Sequence, residues 1–138
     1  MRVVLDTNVL VRSIGRQSAF RPVFDAFLAK RYELVISVGI LFEYEEVLAE
    51  RNSPLVATNI IAALLARTNV RRQRVSYDFR LVADDPDDDK FVNAYIAGQA
   101  DYLVTDDRHF RTVLAAKFPA VRVVSAEVFL KLLQTSKI

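Results

Sequence analysis

The sequence predicts an α/β fold in which helices cover a mainly parallel sheet. Short apolar runs rich in β-branched residues recur along the chain, at residues 2–5, 34–36, 102–104 and 121–124. Between them, apolar residues repeat at helical spacing. Runs such as Val3-Val4-Leu5 show no polar alternation, which is expected of strands covered on both faces.

Each element has its own justification. Residues 2–5 read as a buried strand ending at Asp6. Phe20, Val23, Phe24, Phe27 and Leu28 fall on one helical face, and Pro22 suits a first turn. Residues 34–36 form a second strand, stopped at Ser37. Ile40, Leu41, Tyr44, Val47 and Leu48 line the next helix, which Ser53-Pro54 breaks. Residues 55–66 form another helix, with Ile60, Ile61, Leu64 and Leu65 apolar. Residues 70–75 read as a third strand, polar enough to sit near a sheet edge. Residues 84–89 are a loop entering a helix that holds Phe91, Val92, Tyr95 and Ile96. Strands at 102–104 and 121–124 are each followed by a helix, at about 109–116 and 126–133. No linker, repeat or low-complexity stretch divides residues 1–138, which read as one domain.

Composition excludes several chemistries. The 138 residues are 52% hydrophobic and 26% charged, as in ordinary globular proteins. The absence of cysteine removes disulfides, zinc–thiolate sites, iron–sulfur clusters and cysteine nucleophiles. His109 is the only histidine, so a histidine acid–base pair cutting RNA through its 2′-hydroxyl is excluded. Three glycines cannot write a P-loop or a GxGxxG fingerprint. No apolar run approaches the roughly 20 residues that span a bilayer. The opening run meets Asp6 too early for a signal peptide, so a cytoplasmic protein without membrane association is expected.

The distribution of charge is more informative than its net value of +2. Nine of the 17 acids lie between Asp78 and Asp107. Arginines outnumber lysines, 14 to five, and Arg67, Arg71, Arg72, Arg74 and Arg80 cluster. Arginine's rigid fork of donors suits phosphate, although an arginine-bearing edge strand that resists aggregation has the same look.

Position nominates the first site residues. In open parallel sheets, ligands bind beyond the carboxyl ends of the strands, where strand order reverses. Asp6 ends the first strand, and Asp106 and Asp107 follow the fourth. A buried carboxylate at a strand end costs several kcal/mol unless paired or metal-bound. On the helix after Ser37, Glu43 and Glu45 flank the apolar face and Glu46 points away. In Asp84-Asp85-Pro86-Asp87-Asp88-Asp89-Lys90, capping and the helix dipole account for two or three acids, with Asp85 as N-cap and Pro86 at the first position. Five crowded carboxylates repel one another, so at least one is expected to meet a cation. Periodicity aligns Asp89 with Val92, Asn93 and Ile96, and Asp88 with Phe91 and Tyr95, which leaves both open.

Asp6-Thr7-Asn8-Val9-Leu10-Val11 resembles the opening strand motif of PIN-domain nucleases. Tyr102-Leu103-Val104-Thr105-Asp106-Asp107 resembles that family's fourth-strand motif. Asp87-Asp88-Asp89-Lys90-Phe91, with Ser37, Leu41, Glu43-Tyr44, Val47 and Leu48, is similar to the branch of VapC-like PIN toxins of toxin–antitoxin systems. The resemblance spans nearly the whole chain. It implies a three-layer α/β/α fold with a five-stranded sheet of order 3-2-1-4-5. It also implies an acidic quartet of Asp6, Glu43, Asp89 and Asp107. The sixteen-residue spacing from Asp89 to Thr105 fits the family pattern better than that from Asp88. Thr7, Asn8, Asn93 and Thr105 fall on supporting polar positions. Asp106 stands where the family has a small residue, which makes it a further candidate ligand.

The implied chemistry is RNA phosphodiester hydrolysis with one or two Mg²⁺ or Mn²⁺ ions, which prefer oxygen ligands. With the quartet set aside, 13 acids remain against 19 basic residues, a balance of +6 that favours RNA. Arg71, Arg72, Arg74 and His109 are the expected RNA contacts. An antitoxin protein and a second copy of the chain are the partners the resemblance implies. The competing class is a non-catalytic PIN-like module that binds RNA or protein. A phosphoaspartyl phosphatase is disfavoured, because Asn8 stands where it wants its second acid, and a receiver domain because the early acid pair and the lysine after a late strand are missing.

Overall fold

The computed structural model describes residues 1–74, 89–117 and 120–135. The elements run β1 (Arg2–Leu5), α1 (Thr7–Ser13), α2 (Arg21–Leu28), β2 (Glu33–Ile36), α3 (Val38–Arg51), α4 (Pro54–Ala66), β3 (Val70–Arg72), α5 (Asp89–Ala97), β4 (Tyr102–Val104), α6 (Arg108–Lys117), β5 (Val123–Val124) and α7 (Ala126–Thr135). The sheet has the order β3-β2-β1-β4-β5, and every neighbouring pair is parallel. This is the order that the motifs implied. α1 packs on α2 and α3, α3 on α4, α5 on β1, β2 and β4, and α6 on β5. The final helix α7 returns to pack on α2.

The three central strands are buried on both faces. Val3, Val4 and Leu5 of β1, Leu34, Val35 and Ile36 of β2, and Leu103 and Val104 of β4 all lie in the core. Burial of each large aliphatic side chain stabilises the fold by about 1.5–3 kcal/mol before entropy is counted. An aromatic chain closes one side layer: Phe24 meets Phe27, Phe27 meets Tyr32, and Tyr32 meets Phe129 edge-on at 5.3 Å. Strand order reverses between β1 and β4, so the chain diverges at their carboxyl ends and leaves a crevice there.

Three details differ from the sequence reading. Residues 7–13 form a helix that hydrophobic spacing did not announce. β3 is confined to Val70–Arg72 and β5 to Val123–Val124, both shorter than expected, although β3 does lie at the sheet edge. Val75, the expected caps Asp85 and Pro86, and the choice involving Asp88 lie outside the described residues. Among the described residues, no helix is long and apolar enough to cross a membrane.

Candidate active site

The site is built at the end of β1. The amide of Asp6 still donates to the Val104 carbonyl, 2.9 Å away, so the residue is locked to the sheet. Its own carbonyl accepts from Val9 and Leu10, which starts α1. Its carboxylate makes no cap to that helix. The carboxylate instead accepts a 2.7 Å hydrogen bond from the Thr105 hydroxyl at the end of β4. Asp6 is only 9% exposed. Burial raises its pKa, Thr105 and the Thr7 amide oppose the rise, and the charges of Glu43 and Asp107 add to it. Two acids from two other elements therefore stand close enough to act on the Asp6 carboxylate.

Glu43 reaches the site because α3 is pinned above β1. The buried Tyr44 hydroxyl donates to the Leu5 carbonyl at 2.6 Å, one residue before Asp6. Burial and the nearby Asp6 charge hold that phenol well above its ordinary pKa, so it stays a donor. The Thr7 hydroxyl donates to one carboxylate oxygen of Glu43. The Lys90 ammonium of α5 sits 2.8 Å from the other. The structure thus separates the two flanking glutamates: Glu43 is held in the crevice, and Glu45 is exposed.

Asp106 and Asp107 are also told apart. The Thr105 hydroxyl that holds Asp6 accepts from the Asp107 amide at 3.1 Å, so one side chain sets both acids. One Asp107 oxygen caps α6 through the Phe110 amide at 3.1 Å. Asp106 turns elsewhere. One of its oxygens accepts from the Ala126 amide at the start of α7, 2.9 Å away, and the other pairs with Arg12 of α1.

The remaining candidates divide by place. Asp89 opens α5, and its side chain lies outside what is described. Asn93 is buried one turn further on. With Ser37, Gln73, Arg74 and Lys90 it lines a cleft of about 340 Å³ beside Glu43. Arg71 and Arg72 are exposed on the edge strand, and Arg72 donates to the Leu65 carbonyl of α4. Asn8 on α1 and His109 on α6 are exposed. Sequence reasoning overlooked Lys90 and Arg12. Lys90 left an ambiguous signal, since a cation that ends a run of five aspartates reads equally well as a solvated helix start.

A family model described as PIN domain matches residues 2–109. The chain belongs to the PIN-domain family. The matched span contains every acid of the predicted quartet. Among solved structures, this PIN domain is similar to VapBC2 from Rickettsia felis bound to a DNA fragment from their promoter. That likeness has a TM-score of 0.63 and 19% identity, and it covers 91% of this chain and 98% of the other. It establishes the fold. No curated protein matches the chain.

The donor set fits a hard divalent ion. The acids and hydroxyls gathered there, Asp6, Glu43, Asp107, Thr7 and Thr105, offer oxygen, the ligand type that Mg²⁺ and Mn²⁺ prefer. Among the described residues, no three acids already stand as a finished ligand cluster. The unmet need is electrostatic: Asp6 is buried, and Glu43 and Asp107 raise its pKa further. A cation in the crevice reverses both effects.

Proposed function

We propose that this PIN domain is a Mg²⁺- or Mn²⁺-dependent ribonuclease that hydrolyses RNA phosphodiester bonds, and that it is the toxin of a toxin–antitoxin pair. The observation that carries the reading is the buried Asp6 carboxylate, held by Thr105 and set among the charges of Glu43 and Asp107 at the strand-order reversal. Asp6, Glu43, Asp89 and Asp107 would hold one or two ions. When bound, such ions activate water and neutralise charge developing on the phosphate.

The chain's own residues do the positioning. Thr105 fixes Asp6 and Asp107 through one hydroxyl, and Thr7 orients Glu43. Asn8 and Asn93 supply further polar groups around the acids. Asp106 ties α1, β4 and α7 together, so we assign it to holding the site in shape rather than to the metal. Arg74 at the cleft, Arg71 and Arg72 on the edge strand, and His109 on α6 would contact the RNA. An antitoxin protein is the proposed partner, in keeping with the likeness to VapBC2, and a second copy of the chain is another.

The test is cleavage of single-stranded RNA by the purified protein with Mn²⁺ or Mg²⁺. Activity is expected to vanish with chelator and with Asp6→Asn, while circular dichroism of the variant stays native. Asp107→Asn is expected to lower activity far more than Asp106→Asn. Undiminished cleavage by Asp6→Asn would overturn the mechanism. Absent cleavage together with absent Mn²⁺ binding would favour a non-catalytic binding module.

A further inference from the structure

Lys90 is a cation placed inside the acidic site. Its ammonium lies 2.8 Å from Glu43 Oε1, and Thr7 occupies Glu43 Oε2. Both oxygens of this carboxylate are therefore engaged. Lys90 and Glu43 are 24% and 27% exposed, so the pair is better shielded from solvent than an ordinary surface pair. The lysine stem packs against Gly39, its Cδ about 3.7 Å from where a Cβ there would stand. Lys90 also lines the cleft of about 340 Å³, with Ser37, Gln73, Arg74 and Asn93.

We propose that Lys90 is a built-in counter-cation of the acidic site, which a divalent ion must displace from Glu43 in order to bind. The inference rests on the metal-dependent reading above and adds a control on it. Without metal, Lys90 offsets the negative charge that Glu43 adds beside Asp6, which stabilises the site. With metal, the same ammonium is a competitor, because the ion and Lys90 require the same Glu43 oxygen. Lys90 therefore sets a threshold of metal affinity.

The test is Mn²⁺ titration by calorimetry on the full chain, free of RNA, with melting curves alongside. Lys90→Met keeps the aliphatic stem and removes the charge. It is expected to bind Mn²⁺ roughly two- to fivefold more tightly than wild type, the scale of one ion pair of this exposure. Its metal-free form is expected to melt lower and to gain more from added Mn²⁺. Lys90→Arg restores a cation and should return affinity toward the wild-type value. Lys90→Gln provides a second neutral variant should the methionine disturb folding. Equal or weaker binding by both folded neutral variants would overturn the inference and leave the metal reading intact, provided that Asp6→Asn abolishes binding. If wild type and the neutral variants all fail to bind Mn²⁺, the metal reading falls and takes this inference with it.

Discussion

Asp6 shows how one residue can weaken the metal-free fold in order to serve the site. Burial raises its pKa above the ordinary value of 3.8, and the neighbouring acids raise it further. The folded protein therefore keeps this proton at pH values where the unfolded chain has lost it. The resulting stabilisation is fully present below pH 3.8 and is lost as pH rises through the folded-state pKa. Asp6→Asn removes the ionisation while leaving an oxygen to accept from Thr105. At neutral pH without metal, the variant is expected to be more stable by on the order of 1 kcal/mol, or roughly 3–5 °C in melting temperature. The gap should close as the pH is lowered, and Mn²⁺ should stabilise wild type only. Melting curves across pH, with and without Mn²⁺, check all three. Asp6 was legible because an acid that ends a buried strand has few structural uses. Lys90 was not, because a lysine after five aspartates reads equally well as a solvated helix start. Its partner Glu43 is 47 residues away in sequence.

At the scale of elements, the site depends on three helices being brought to one strand end. α3 arrives through Tyr44 and Leu5, and α1 begins from the Asp6 carbonyl. α5 arrives through a close approach at Gly98. A Cβ there would stand 2.8 Å from both Val35 Cγ1 and the Ala94 carbonyl oxygen. The constraint is steric, since no glycine has positive φ among the described residues. Gly98→Ala is expected to cost about 1–3 kcal/mol, read as a lower denaturant midpoint at unchanged m-value. It should also weaken Mn²⁺ binding, because Asp89 and Lys90 ride on the displaced helix. The longer helices were legible from their apolar period. α1 was not, because seven residues are too few to show a period and Thr7, Val9 and Val11 are poor helix formers. Burial of Thr7, Val9, Leu10, Val11 and Ser13 holds it in place instead.

At the scale of the whole molecule, the proposed function requires a surface that attracts RNA, and Arg71 and Arg72 are exposed on the edge strand. RNA affinity of the Asp6→Asn protein should fall linearly on a log–log plot against salt. Arg74→Ala should lower affinity and flatten the slope by about 0.7, the value for one phosphate contact on a single strand. Fluorescence anisotropy of a labelled oligonucleotide at several salt concentrations measures both. An unchanged slope would remove Arg74 from the interface. The sequence by itself determined the layered α/β architecture, because strand and helix periods are local properties of the chain. Its motifs, read by resemblance, implied the strand order and the acids. Only the tertiary structure decided that Thr7 and Lys90 engage Glu43, and that Asp106 is bound to α7 and Arg12. These choices depend on how helices far apart in sequence are rotated and seated against one strand end, and packing sets that geometry.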